Sequence, residues 1–406
     1  MEQLEINVWN DDVNAGKAFF TRSRGKVTTT FVYNADYIAG NNVPIDPEFP
    51  LVAGVQYVPR LPGSFSDAAP DRWGRNLLEK HESESARQEK RRPRTLDDVD
   101  YLLGVSDDTR QGALRFQNVR GDFLGANASV PPLVDLPKLM NATRTIAHTE
   151  AREAVKYLLQ TGTTGLGGAR PKAAVRLSDS SLALAKFPHD ADSWDVMAWE
   201  ATALDLLAQC GIDVPQYQLP TIGEKHVLVL KRFDRHGSQR LGYISMMTAL
   251  RAAGGEPKDY MDVSTAIRNL STKPRDDLHQ LFRRVTAYIA LGNTDDHLRN
   301  LGFVWRGQGW RLCPAFDVNP NPHFQAHRAT TILGSASLDE EAHALLDFAE
   351  MCDLDVNTAK KLIRAVCDAI ESWDSAAALR GISESERKTF SENFTTRLNT
   401  LREVSQ

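Results

Sequence analysis

Residues 288–320 read YIALGNTDDHLRNLGFVWRGQGWRLCPAFDVNP, and no other stretch of the chain restricts the fold as much. Two short apolar runs, LGFVW and WRL, flank the turn Arg306-Gly307-Gln308-Gly309, which predicts a β-hairpin. A loop bearing Asp295, Asp296 and Asn300 enters the hairpin, and the far strand leaves through Pro314-Ala315-Phe316 to Asp317. A hairpin returns the chain to its starting point, so carboxylates distant in sequence come close in space. Such a grouping suits phosphoryl transfer, which requires a positioned base for the acceptor hydroxyl and oxygen ligands for Mg2+ on the phosphates. Asp295 is read as the base, and Asn300 and Asp317 as the metal ligands. Asp296 competes for the base role from one position closer to Asn300. The plainer alternative is that Asn293, Asp295 and Asp296 satisfy turns and caps. His297 is read as positioning the loop, because no second His or Cys stands at metal-ligand spacing.

A phosphotransferase also needs a cation and a close-fitting backbone over the phosphates. Lys186 ends the apolar strand Leu182-Ala183-Leu184-Ala185, where its charge calls either for snorkelling to solvent or for an anionic partner. Glu200, on a helix predicted from about Ser193 to Gln209, is a natural partner for it. Upstream, Gly165, Gly167 and Gly168 let a backbone approach phosphates, and Lys172 follows at a P-loop-like distance. The P-loop pattern itself is not met, since no Gly-Lys-Ser/Thr occurs there.

Along the chain, strands are predicted at 4–9, 27–33 and 112–116, in SLALAKF and in HVLVLKRF. Pro70 is placed at a first helical position, with a short helix from about Asp71. The charged run at 82–94 is read as a solvated helix end or loop, with a partner-binding patch as the sharper alternative. Helices are expected at 97–103 and 135–159, and from 243 onward the pattern is mainly helical apart from 301–313. The Gly-, Asn- and Pro-rich stretch 117–134 marks a linker. The expected division is a β-rich accessory domain at 1–125, a lobe with a Gly-rich loop at 126–235, and a mainly helical lobe at 236–406. The 406 residues allow two or three domains, and 42% hydrophobic with 25% charged residues excludes a largely disordered chain. A net charge of −5 supplies no whole-molecule field for nucleic acid or anionic lipid. The scattered Cys210, Cys313, Cys352 and Cys367 read as small buried apolar residues of a reducing compartment, and no apolar run is long enough to span a membrane. The expectation is a cytoplasmic protein.

The stretches FSDAAPDRWGRNLL (65–78), DYLLGVSDDTRQGALRF (100–116), GLGGARPKAAV (165–175), LALAKFP (182–188), LKRFDRHG (230–237), GNTDDHLRN (292–300) and LCPAFDV (312–318) together resemble HipA-type toxin kinases over nearly the whole length. The resemblance implies an α+β, distantly protein-kinase-like two-lobe fold. It also implies a serine/threonine kinase using ATP and Mg2+ on a cytosolic translation protein such as an aminoacyl-tRNA synthetase. By position, Asp295 is similar to the family's catalytic aspartate, Asn300 and Asp317 to its metal pair, and Lys186 to its nucleotide lysine. Phe233 and Asp234 fall where the strand joining the lobes meets adenine and ribose, although RFDR equally reads as a strand end with an ion pair. The family's Gly-rich loop often carries an autophosphorylated serine that silences the enzyme. Here 161–170 reads TGTTGLGGAR, so only Thr161, Thr163 or Thr164 can substitute. A small DNA-binding, HipB-like antitoxin is the implied partner, with DNA reached only through it. Two other classes stand beside this reading: an inactive kinase-like binding module, and a small-molecule phosphotransferase.

Overall fold

The computed structural model describes residues 2–23, 25–40, 42–125, 128–148, 152–163, 170–252, 256, 258–323 and 327–406. The backbone separates into two compact units, one of residues 1–190 with 229–244 and one of residues 191–228 with 245–406. The break expected near 125 therefore falls inside the first unit.

That unit opens with five antiparallel strands, β1 (Glu2–Asn10), β2 (Val13–Ser23), β3 (Lys26–Tyr33), β4 (Val55–Val58) and β5 (Leu114–Gln117), ordered β4-β3-β2-β1-β5. Alternation drives the sheet. Ile6 and Val8 of β1, Ala18 and Phe20 of β2, Phe31 and Tyr33 of β3 and Phe116 of β5 all point to one side and are buried. Phe65 closes this core, edge-on to Phe116 with ring centroids 5.1 Å apart. Each of these rings contributes about 1.5–3 kcal/mol by leaving water. Gly16 is required by close approach, since a Cβ there would lie 2.1 Å from the carbonyl oxygen of Val32.

The long helix Arg72–Gln88 starts one residue later than sequence suggests. Pro70 stands outside it, and Asp71 is the N-cap, accepting from the Gly74 N–H at 2.9 Å. The charged run is a helix end and loop, exposed over most of its length as read, although Glu82 at its start is buried and accepts from Arg91 and from the Arg94 backbone N–H. Helices Leu136–His148 and Arg152–Gln160 occupy the stretch expected as one. Two further strands, β6 (Lys172–Arg176) and β7 (Leu182–Lys186), pair antiparallel, with Leu228–Lys231 beside β7.

The second unit is built around the helix Pro274–Leu291, whose C-terminal half is almost wholly buried. Helices Tyr260–Leu270, Leu338–Met351, Val356–Ile370 and Glu384–Val404 pack on it. Helix Val196–Gln209 is apolar on nearly all sides and correspondingly buried. Its Trp199 stacks on Phe390 at 3.9 Å, and the indole N–H donates to Glu386 at 2.8 Å. The predicted hairpin is present as Gly302–Arg306 and Gly309–Leu312, with Trp305 opposite Trp310. Among the described residues no helix is long and apolar enough to cross a membrane.

Candidate active site

One helix positions both halves of the acidic site. At its N-terminal end, Asp277 accepts from Arg311 at 2.8 Å and from the Leu312 N–H at 2.9 Å, which fixes the far strand of the hairpin. Midway, Arg284 donates to the Cys313 carbonyl at 2.7 Å. The chain then runs through Pro314 to Asp317 from a point anchored twice to that helix.

At the C-terminal end the helix stops at Gly292, in the left-handed conformation with φ +67. Only glycine fits well there, because a Cβ would also meet Asn393 Nδ2 at 2.9 Å and the Asn321 carbonyl at 3.0 Å. The loop that follows is clamped to the chain beyond Asp317, as the Asn293 side-chain oxygen accepts from the Asn319 N–H at 3.2 Å. Sequence reasoning gave Asn293 only a turn role; its burial and this long-range bond have no local signature.

Within the loop the two neighbouring aspartates have opposite fates. The Asp296 side chain is 2% exposed, whereas that of Asp295 is 75% exposed. Asp296 accepts from Arg328 at 2.5 Å, from the Tyr260 hydroxyl at 2.7 Å and from the Thr330 N–H at 3.3 Å. Arg328 also donates to the Asn293 carbonyl at 3.1 Å and to Glu341 at 2.9 Å. With both Asp296 oxygens engaged, Asp295 is the carboxylate of the pair that can reach a substrate.

Desolvation by the surrounding chain raises the Asp295 carboxyl above its ordinary value. His297 opposes this, and the negative charges of Asp317 and Asp296 add to it. His297 Nε2 lies 3.8 Å from Asp295 Oδ1, beyond hydrogen-bond length. Asn300 donates its amide N–H to the Asp295 carbonyl at 3.0 Å, so the loop closes on itself and the amide oxygen remains as an acceptor for a cation. Asp317 holds φ +57, a conformation that side chains other than Asn and Asp rarely adopt and that clusters at functional sites.

Among the described residues no group of three or more His, Cys, Asp or Glu forms a self-sufficient metal cage. One carboxylate and one amide oxygen instead suit Mg2+, which keeps waters and takes its remaining oxygens from substrate phosphates. Asp317 and Asn300 fit that requirement.

The cationic candidates lie in the first unit. Lys186 and Lys172 stand directly opposite one another on β7 and β6, and both are buried. Opposed like charges need an anion. For Lys172 it is Asp71 Oδ2, at 2.7 Å, whose carboxyl is raised by burial despite the lysine. The helix cap at 71 therefore also neutralises a strand lysine, a pairing with no sequence signal at such separation. Asp234 is buried and accepts from Arg232 at 2.6 Å, Arg235 at 3.0 Å and the Gly112 N–H at 2.8 Å. Those cations hold its carboxyl below the usual range against the effect of burial. Of the two expectations for RFDR, its carboxylate follows the ion-pair one, inside the protein and not on its surface. Phe233 is half-buried, its ring 6.1 Å from Tyr243.

Glu200 is buried on the helix Val196–Gln209 of the second unit. Gly165, Gly167, Gly168 and Thr164 lie outside the described residues. Thr161 and Thr163 are buried, their hydroxyl oxygens 2.9 Å apart, with Thr161 donating to the Leu158 carbonyl at 2.8 Å.

Residues 164–373 match the family model of the HipA-like C-terminal domain, and residues 6–117 that of the HipA N-terminal domain. The chain is 25% identical over 182 residues to a protein of Sinorhizobium fredii named "Putative kinase Y4mE", covering 38% of this chain and 41% of that one. It is 26% identical over 164 residues to a kinase-named protein of Haemophilus influenzae, covering 36% and 48%. The chain thus spans less than half the length of either curated relative. A chain of the solved Shewanella oneidensis MR-1 toxin–antitoxin complex of HipA, HipB and operator DNA superposes with a TM-score of 0.66 at 17% identity, covering 98% of this chain and 97% of that one.

Proposed function

The chain belongs to the HipA-like family, and from that premise we propose that it is an ATP- and Mg2+-dependent serine/threonine protein kinase acting as the toxin of a toxin–antitoxin pair. The observation that carries the proposal is the division of labour in the loop 292–300: Asp296 is consumed by Arg328, while Asp295 stands accessible in the loop that Asn300 closes. In this reading Asp295 orients the acceptor hydroxyl and takes its proton as that oxygen bonds to the γ-phosphorus of ATP and the bond to the ADP oxygen breaks. Asn300 and Asp317 would hold Mg2+, whose chemistry is to offset charge on the phosphate oxygens. Lys186 is assigned to the nucleotide phosphates, with Glu200 as its partner, and Phe233 to the adenine. Gly167 and Gly168 are assigned to the cover over the phosphates. Lys172 and Asp234 are assigned supporting roles through their buried pairs, and His297 is assigned to positioning the loop. A translation protein such as an aminoacyl-tRNA synthetase remains the proposed substrate, acting in the cytoplasm. The likeness to the complex with HipB and operator DNA favours a small DNA-binding antitoxin as partner.

The test is incubation with labelled ATP and Mg2+, alone and with a cell lysate. Label on the protein itself or on discrete lysate proteins is expected, and Asp295→Ala should abolish it while ATP affinity stays within a few fold. Label confined to small molecules, or nucleotide binding without transfer, would replace this reading with a small-molecule phosphotransferase or a binding module. Asp317→Ala should weaken Mg2+-dependent nucleotide binding as well as turnover.

A further inference from the structure

The match to the HipA-like C-terminal domain ends at residue 373, yet the loop 292–300 is seated against a helix that begins beyond it. Helix Glu384–Val404 carries Asn393 and Arg397 one turn apart, which puts both on one face. Each is 3% exposed. Arg397 donates through Nε to Asn393 Oδ1 at 2.6 Å and through Nη1 to the Ile289 carbonyl at 3.3 Å. The Asn393 amide N–H donates in turn to the Asn321 carbonyl. Phe390, Phe394, Leu398 and Leu401 already give this helix its apolar packing. Burying an amide and a guanidinium among them is costly, and their donors go to backbone carbonyls that flank the acidic residues.

The Ile289 carbonyl belongs to the cap that ends the helix Pro274–Leu291. It accepts from the Gly292 N–H at 3.1 Å, while the Asn293 N–H donates to the Tyr288 carbonyl at 2.9 Å. A cation bonded there also meets the negative end of the helix dipole. Asn321 stands beyond Asp317, on the segment whose Asn319 N–H is bonded to Asn293 Oδ1. The pair on the C-terminal helix thus grips the entry of the loop bearing Asp295 and the exit of the segment bearing Asp317. Gly292 is closed in between the two grips. A Cβ there would lie 2.9 Å from Asn393 Nδ2, 3.0 Å from the Asn321 carbonyl and 3.1 Å from Arg397 Nε.

We propose that Asn393 and Arg397 are positioning residues of the phosphoryl-transfer site, acting through Gly292 and Asn321 to set how the segment of Asp317 lies against the loop of Asp295. The inference rests on the kinase reading and extends its site past residue 373. Asn393 governs the Asp317 side through its bond to Asn321. Arg397 holds the loop side and orients the Asn393 amide. Both are buried, so they act through backbone and not on substrate.

Asn393→Asp separates position from stability, because the variant still accepts from Arg397, now as an ion pair, and loses the donor to the Asn321 carbonyl. Leu401→Ala, at a fully buried leucine of the same helix, loosens that helix without removing either grip. The measurements use the full chain well below its melting temperature: ATP binding titrated with Mg2+, initial rates, and amide hydrogen exchange. In Asn393→Asp the Mg2+ concentration for half-maximal ATP binding should rise about tenfold, and exchange should quicken across residues 313–322. In Arg397→Met kcat should fall on the order of 10- to 100-fold, with faster exchange across 288–293. Leu401→Ala should lower the melting temperature and leave the Mg2+ midpoint and kcat within about twofold of the parent. A parent-like Mg2+ midpoint or exchange in Asn393→Asp, a parent-like kcat in Arg397→Met, or the same losses in Leu401→Ala overturns the positioning role and leaves the kinase reading intact. If the parent transfers no phosphate to itself or to a lysate, the kinase reading and the positioning role fall together.

Discussion

Replacing Arg328 by methionine tests whether the accessible aspartate depends on its buried neighbour. The guanidinium and the Asp296 side chain are each 2% exposed, and Glu341 is 9% exposed, so water cannot substitute for the lost cation. Removing one partner of a buried ion pair costs about 3–5 kcal/mol. Asp296 keeps the Tyr260 hydroxyl and the Thr330 N–H, which argues for the lower end, about 3 kcal/mol. For a unit of roughly 200 residues that corresponds to about 6–12 °C in melting temperature. Glu341→Gln added to Arg328→Met removes a second stranded charge and should recover about 1 kcal/mol, a non-additivity that a double-mutant cycle reads directly. Because Arg328 also holds the Asn293 carbonyl, the loop carrying Asp295 loses two anchors at once, and kcat should fall on the order of 100-fold with KM for ATP little changed. Calorimetry and initial rates measured on the same preparation decide the matter. Melting within about 2 °C of the parent, or full turnover in a destabilised variant, would refute the argument that the Arg328 network holds the loop.

The raised Asp295 carboxyl sets a pH dependence with a definite sign. A base must be ionised, so turnover should fall with acid along a limb lying above the ordinary carboxylate value of about 4. Asp317→Asn, which tolerates the left-handed backbone, removes a like charge and should move that limb of kcat to lower pH as the overall rate drops; an unmoved limb would mean the two carboxylates do not converge. Gly292→Ala should cost about 1–2 kcal/mol from its backbone conformation alone and slow turnover with it, to be read by urea unfolding beside initial rates. Phosphate mapping after long incubation with ATP should find no label on Thr161 or Thr163, whose hydroxyls are buried and bonded to one another; label on either would show that this segment opens.

The parts of the site that local pattern dictates were readable before the structure. The hairpin after Asn300 needs only alternating apolar residues around Arg306-Gly307-Gln308-Gly309, and a glycine after Leu291 is an ordinary helix stop. The candidate acidic cluster followed from those two elements. Spacing favoured Asp295 over Asp296, but sequence could not show that one is buried and the other exposed, because that difference is made by Arg328, Tyr260 and Thr330, each more than thirty positions away. The same holds in the first unit. Asp71 was legible as the start of a helix but not as the counter-ion of Lys172, and Asp234 not as the acceptor for Arg232, Arg235 and Gly112. Strand β2 was missed altogether, since Gly16 interrupts its alternation at the point where β3 comes too close for any side chain.

Apart from β2, each miss has one physical form: a buried polar group whose partner is distant in sequence carries no periodicity, and its necessity appears only once burial is known. That asymmetry bears on how the site works. The residues proposed to touch substrate, Asp295, Asn300 and Asp317, are short-range features of one helix end and one hairpin. The residues that bury Asp296 and leave Asp295 exposed are contributed by the segment after Asp317 and by the helices Tyr260–Leu270 and Leu338–Met351. A chain that kept the loop 292–300 intact and lost Arg328 would retain every recognisable motif. On the energies above it would nonetheless fail to hold its base in place.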